Sequence, residues 1–122
     1  MATAEDVVSR FAFDDSYFRA DNSVKHRAFM PSDEGCTSVF IVTGLTHVQC
    51  VAHGNAHVTP LRGKPLRGFV KVSAQAVFDA SLQIADDEPP PKHANLLGWQ
   101  EDLQARKLQA QAVAEEAEYF PV

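Results

Sequence analysis

The sequence predicts an α+β fold: a small, mostly antiparallel sheet with one short helix and a long C-terminal helix packed on it. Two observations favour this class. Apolar segments of strand length occur at four places in the first 84 residues and are separated by turn residues, whereas residues 100–119 contain neither glycine nor proline. A chain of 122 residues can bury a core without disulfides, so we expect a single domain over residues 1–122.

The four strands are predicted from apolar, aromatic and β-branched composition. The first covers Val7–Phe13, with its two phenylalanines on one face. The second covers Thr37–Val42. Its consecutive apolar residues would lie on both faces of the strand, which indicates a central strand covered on both sides. The third covers Leu66–Val72 and the fourth lies around Ala80–Ile84.

Two helices are predicted from different signals. Thr46 and Gln49 match a capping box, which predicts a short helix from near His47 that stops at Gly54-Asn55. Alanine, glutamine and leucine dominate the C-terminal segment, and we expect a helix over about residues 100–119. Its predicted inner stripe consists of Leu103, Ala110, Val113, Ala114, Ala117 and Phe120, and we expect Leu108 among the buried positions as well.

Charge is distributed unevenly along the chain. The net charge is −5, yet no acidic residue occurs from Gly35 through Phe78. Within this window, Arg62, Lys64 and Arg67 lie among glycines, a composition suited to binding a phosphate. This segment could therefore bind nucleic acid or a nucleotide. The alternative is an ordinary hairpin loop whose charges are neutralised by the acidic ends of the chain.

The segment 86–99 is the most distinctive part of the sequence. Three consecutive prolines predict an extended, stiff connector, and the residues after it are expected to lie outside any helix or strand. His93, Asn95 and Trp99 then fall within seven residues. In one interpretation Trp99 seats the C-terminal helix on the sheet while His93 and Asn95 bond loop backbone. In the other, the three side chains bind a base or a peptide.

Other chemistry has weaker support. His53 and His57 have the spacing of a helical metal site, but glycine and asparagine lie between them and no carboxylate is near in sequence, so we expect no metal site and no cofactor. Cys50 lies in an apolar run typical of inert core thiols. The absence of a signal peptide, of a long apolar run and of further cysteines favours a cytoplasmic protein with no membrane contact.

The run His93–Trp99, followed by a charged helix, resembles a signature of small uncharacterised bacterial proteins, which read His-Ala-Asn-Ile-x-Gly-Trp-Pro before a lysine- and alanine-rich helix. Segments 24–25, 28–31 and 38–40 are also similar to that family, whereas Leu96 and Gln100 depart from its usual isoleucine and proline. The resemblance implies a small bacterial domain associated with mobile elements or defence genes. It supplies no catalytic residues.

Two classes of function follow from these observations. The first is a non-enzymatic binding or accessory protein that engages a macromolecular partner, most simply another protein. This class is preferred because no nucleophile–base pair or metal-binding motif is visible in the sequence, and no catalytic residue is assigned. The second class is a small enzyme on nucleic acid or nucleotide phosphates, which would use histidine together with Arg62 or Arg67.

Overall fold

The computed structural model describes residues 2–122 and contains a six-stranded sheet. Its strands are β1 (Val7–Ala12), β2 (Thr37–Ile41), β3 (Gly68–Ser73), β4 (Gln83–Asp86), β5 (His93–Leu97) and β6 (Glu118–Pro121). Their spatial order is β4-β5-β2-β1-β3-β6, and each neighbouring pair is antiparallel. The predicted mixed α+β class and antiparallel sheet are therefore confirmed.

Four α-helices accompany the sheet in the described residues: α1 (His47–His57), α2 (Thr59–Arg62), α3 (Ala74–Asp79) and α4 (Leu103–Glu115). Two short 3-10 turns, Asp15–Tyr17 and His26–Ala28, lie in the long connection from β1 to β2. Between residues 2 and 122, none of the helices has the length and apolar character needed to cross a membrane.

Helices cover both faces of the sheet, and the side chains of each strand alternate between the two faces. One face packs against α4 and α3 through a cluster that includes Val8, Val39, Val70, Leu96 and Val113. The opposite face packs against α1 through a second cluster that contains Phe11, Phe13, Phe40, Val42, Cys50, Leu66 and Phe69. Strand β2 contributes to both clusters, as its apolar sequence predicted.

Helix α1 begins as predicted but continues past its expected end. The Thr46 side chain accepts from the Gln49 amide at 3.2 Å, and the Gln49 side chain accepts from the Thr46 amide at 2.9 Å. Gly54, expected to stop the helix, is buried inside it. A Cβ there would lie 2.6 Å from the Phe11 ring, so glycine permits the close approach of helix and sheet rather than ending the helix.

The C-terminal helix is shorter than predicted, since α4 ends at Glu115 and Glu118–Pro121 form strand β6 beside β3. Clustered acids after the last turn oppose the helix dipole, which disfavours continuation. The strand also buries Tyr119, whose hydroxyl donates to the Arg67 carbonyl at 3.0 Å. Non-local pairing therefore prevails over the local preference for helix.

The proline segment is also different from the prediction, because it closes a hairpin instead of forming an extended connector. The Asp87 amide donates to the His93 carbonyl at 2.9 Å, and the Lys92 amide donates to the Glu88 carboxylate at 2.6 Å. Prolines suit this turn because it needs few backbone donors. Residues 93–97, expected outside any strand, form β5 and pair with β2 and β4.

Two predicted core positions are wrong. Leu103 and Leu108 are 57% and 59% exposed, because they lie on the outer face of α4, whereas Val113 lies on its inner face and is fully buried. We therefore expect Val113→Ala to lower the free energy of unfolding by about 2 kcal/mol. Leu103→Ala should change it by less than about 0.5 kcal/mol, as is usual for surface positions. Urea unfolding of the two variants measures the difference, and equal losses would contradict this placement of α4.

Candidate functional site

A cleft lies at the end of the sheet where β1 and β2 separate. These strands pair at Val8 with Ile41 and at Ser9 with Phe40, although β1 continues to Ala12. The cleft has a volume of about 670 Å³. The polar and charged side chains that line it include Arg10, Arg27, Ser38, Asp87, His93 and Asn95.

The register between β2 and β5 brings a serine and a histidine into contact in this cleft. Ser38 pairs with Asn95 and Phe40 pairs with His93, so Ser38 and His93 are diagonal neighbours on one face of the sheet. The Ser38 hydroxyl lies 2.5 Å from His93 Nε2. A serine hydroxyl at this distance from an imidazole nitrogen is the arrangement that activates a nucleophile.

The hydrogen bonds on the other side of the ring assign the tautomer of His93. Its Nδ1 lies 2.9 Å from the Asp87 carbonyl oxygen and 3.4 Å from Asp87 Oδ2, which are both acceptors. Nδ1 therefore carries the proton, and Nε2 is free to accept the Ser38 hydroxyl. This is the tautomer that a general base requires.

Further contacts fix the imidazole and the carboxylate beside it. Asn95 Nδ2 donates to Asp87 Oδ2 at 3.0 Å. The His93 ring packs edge-on against Phe40, with a centroid distance of 5.3 Å, and its side chain is 14% exposed. We define Ser38, His93, Asp87 and Asn95 as the relay. Ser38 bonds the His93 ring, the ring bonds the Asp87 backbone carbonyl, and Asn95 bonds the Asp87 carboxylate.

Arg10 contributes an unusual positive charge to the same cleft. Its Nη1 donates to the Ala28 carbonyl at 2.8 Å, and its guanidinium lies 5.1 Å from the centre of the Tyr17 ring. Within residues 2–122, no carboxylate forms an ion pair with it. Burial lowers the pKa of Arg10, yet a guanidinium keeps its proton in proteins. Its remaining N–H groups can therefore donate to an anion in the cleft.

The structure separates the three predicted cations. Arg62 and Lys64 line a smaller hollow beside the cleft, of about 80 Å³, whereas Arg67 does not line it. Arg62 lies over the Phe13 ring at 5.4 Å, and Lys64 Nζ is 3.9 Å from an Asp14 oxygen. The Arg67 guanidinium lies 5.6 Å from the centre of the Phe18 ring.

The residues predicted in segment 93–99 are divided between two roles. His93 and Asn95 point into the cleft, but Trp99 packs against the core and its Nε1 donates to the Leu96 carbonyl at 3.1 Å. The Gln109 side chain of α4 bonds the backbone on both sides of Trp99, at 3.4 Å to the Gly98 carbonyl and 2.9 Å from the Gln100 amide. Trp99 is thus held by β5 and the core, and Gln109 of α4 bonds the backbone beside it, which agrees with a structural role.

We expect Trp99→Ala to lower the free energy of unfolding by about 2 kcal/mol. This loss is smaller than the 3–5 kcal/mol typical of a fully buried tryptophan, because Trp99 is only half-buried. Thermal and urea unfolding measure the change. The control is Gln104→Ala, at an exposed position in the first turn of α4. A Trp99→Ala variant as stable as this control would contradict the structural role.

The other candidate residues have structural contacts. His53 Nε2 bonds the Pro91 carbonyl at 3.0 Å, and burial, followed by the charge of His57, lowers the pKa of His53. Cys50 is fully buried, and burial raises the pKa of its thiol, which disfavours a reactive thiolate. Within residues 2–122, no three metal-ligating side chains of histidine, cysteine, aspartate or glutamate are grouped as a metal site requires.

Sequence reasoning missed Arg10, Ser38 and Asp87. A signal for Arg10 was present, because it lies between Val8 and Ala12 on the core-facing side of β1, where a charge is unexpected. Ser38 gave no comparable signal. Its contact with His93 joins positions 55 residues apart and depends on the register of two strands.

Comparisons with known proteins add no further assignment: no family model matches the chain, and neither curated proteins nor solved structures include a significant match. The chemistry available to the site therefore depends on the relay and on Arg10. Both features line one cleft, which they approach from different faces of the sheet, because Ser38 and His93 lie on the face of Phe40 and Arg10 on the face of Val8. They supply a hydroxyl bonded to an imidazole and a guanidinium that can donate to an anion.

Proposed function

We propose that this chain is a small enzyme that cleaves a phosphate ester of a nucleotide or nucleic acid. The observation that carries the proposal is the Ser38–His93–Asp87 contact in the same cleft as a guanidinium without a carboxylate partner. A buried charge is costly unless it is paired. A phosphate in the cleft would pair with Arg10 and present its phosphorus to Ser38.

The relay assigns the proton transfers of this reaction. Ser38 Oγ forms a bond to phosphorus while its proton moves to His93 Nε2, and the phosphorus–oxygen bond to the leaving group breaks. The proton on Nε2 then passes to the leaving oxygen. Water, deprotonated by the same nitrogen, attacks the phosphorus of the Ser38 ester, the bond from phosphorus to Ser38 Oγ breaks, and the proton on Nε2 returns to Oγ as the phosphate product leaves. Arg10 stabilises the negative charge on the phosphoryl oxygens throughout.

Two parts of the structure support this class over a purely non-enzymatic binding protein. The preference for a binding protein depended on the lack of a nucleophile–base pair in the sequence, and Ser38 with His93 is such a pair. The second part is the Arg10 guanidinium in the same cleft, which has no carboxylate partner in the described chain and can bind a phosphate. Engagement of a protein partner, a cytoplasmic location and an association with mobile elements or defence genes stay predictions.

The proposal is tested with the 4-nitrophenyl ester of thymidine 5′-monophosphate, a phosphodiester whose cleavage releases a coloured product. The wild-type chain should release 4-nitrophenolate, and intact-mass analysis of the quenched reaction should detect a thymidylyl adduct, in which thymidine 5′-phosphate is joined to the Ser38 oxygen. Ser38→Ala should abolish the adduct and lower kcat by at least about 100-fold. The matched control is Ser81→Ala, an exposed serine outside the cleft.

Two results would overturn the proposal. One is wild-type protein that neither cleaves the ester nor is stabilised thermally by inorganic phosphate. The other is a Ser38→Ala variant with the turnover of Ser81→Ala, since the hydroxyl would then have no part in the reaction. An adduct located on a residue other than Ser38 would likewise contradict the assigned nucleophile.

A further inference from the structure

The cleft and the smaller hollow are neighbours across one short 3-10 turn. Ser16 and Tyr17, which belong to the turn Asp15–Tyr17, line both depressions. Tyr17 therefore forms the ridge between them, with the Arg10 guanidinium over its ring on the cleft side. The hollow is not an isolated feature of the basic segment, since it continues the candidate active site.

Cations lie on both sides of this ridge. Arg10 and Arg27 line the cleft, whereas Arg62 and Lys64 line the hollow. The two groups are close enough for the charge of Arg62 to act on Arg10, where it adds to burial in lowering the pKa of that guanidinium. Three acids also line these depressions, namely Asp14, Glu34 and Asp87.

These acids leave the cations of the hollow available for a ligand. Asp87 is bonded by Asn95 and lies beside His93, and Glu34 is exposed and forms no ion pair in the described chain. Asp14 is 3.9 Å from Lys64, and the side chains of this pair are more than half exposed. Such exposed pairs contribute little, so a phosphate can replace the carboxylate as the partner of Lys64.

We infer that the substrate is a single-stranded oligonucleotide that occupies both depressions, with the scissile phosphate beside Arg10 and a neighbouring phosphate at Arg62 and Lys64. The inference rests on the proposed function of the cleft and extends it. A mononucleotide ester carries one phosphate and would leave the hollow empty. Positively charged grooves that contain an aromatic side chain, such as Tyr17 here, are typical of surfaces that bind a single strand.

The test measures binding without requiring turnover. A fluorescein-labelled DNA octamer is titrated with the Arg62→Gln/Lys64→Gln double variant and followed by fluorescence anisotropy. Its Kd should be roughly tenfold higher than that of the wild type, and the slope of log Kd against log salt should fall by about 0.7 for each lost phosphate contact. The KM for the 4-nitrophenyl thymidine monophosphate ester should rise by a smaller factor than the Kd for the octamer, because that ester carries one phosphate and does not reach the hollow.

The matched control is Lys25→Gln/Lys107→Gln, which removes the same charge outside both depressions. Equal Kd values for the two double variants would overturn the inference, since nonspecific surface charge would then explain binding. Competition by inorganic polyphosphate as strong as that by unlabelled octamer would also overturn it. Lack of ester cleavage with an intact effect on Kd would contradict the proposed enzyme while supporting the strand-binding surface.

Discussion

Replacing His93 with glutamine should lower kcat for a phosphodiester by about 10²–10⁴-fold, the usual contribution of a general base. Glutamine can still hydrogen-bond the Ser38 hydroxyl, but its amide cannot accept and return a proton. The imidazole contact at 2.5 Å is therefore replaced by a contact without acid–base function. Steady-state kinetics with the 4-nitrophenyl thymidine monophosphate ester measures the loss.

The chain offers a close control for this variant. His53 also packs edge-on against the Phe40 ring, at 5.1 Å, and bonds a backbone carbonyl as His93 does. His53→Gln should therefore keep wild-type turnover. Equal kcat values for the two glutamine variants would exclude His93 as the base.

Arg10→Met should weaken the affinity for inorganic phosphate by roughly 10- to 100-fold, which corresponds to the loss of charge-assisted hydrogen bonds of about 1.5–3 kcal/mol. The free energy of unfolding without phosphate should stay within about 1 kcal/mol of the wild type or rise. Methionine loses the bond to the Ala28 carbonyl but also removes the cost of a charge without a carboxylate partner. Isothermal titration calorimetry and urea unfolding measure the two quantities.

This separation of binding from stability is what distinguishes a ligand-binding arginine from a structural one. Arg19 serves as the comparison, since it is exposed, lies outside the cleft and also donates to a backbone carbonyl, that of Val24, at 3.1 Å. Arg19→Met should leave phosphate affinity unchanged. A strongly destabilised Arg10→Met variant that still binds phosphate like the wild type would show that Arg10 only supports the fold.

Local signals explain which parts of the fold were predictable from the sequence. The capping box at Thr46 identified the start of α1, and the uniformly apolar run in β2 identified a strand covered on both faces. The errors occurred where distant pairing decides the structure. Glu118–Pro121 has the local composition of a helix end, but its pairing with β3 makes it a strand.

The candidate site divides in the same way. His93 and Asn95 were identified because they stand close together in a distinctive segment. Ser38 meets His93 only through the register of β2 with β5, and Asp87 reaches the ring only because the proline segment turns back. The sequence also placed Arg67 with Arg62 and Lys64, whereas the fold puts only the latter two beside the cleft.

The position of the relay in the sheet has a consequence for how activity is lost. Asp87, His93 and Asn95 belong to the hairpin of β4 and β5 at one edge, which joins the rest of the sheet through β2, whereas Arg10 lies on the interior strand β1. Edge hairpins open locally at a lower free energy than interior strands. Mild urea should therefore produce a species that still holds phosphate at Arg10 after the base has left Ser38, so turnover disappears before binding does.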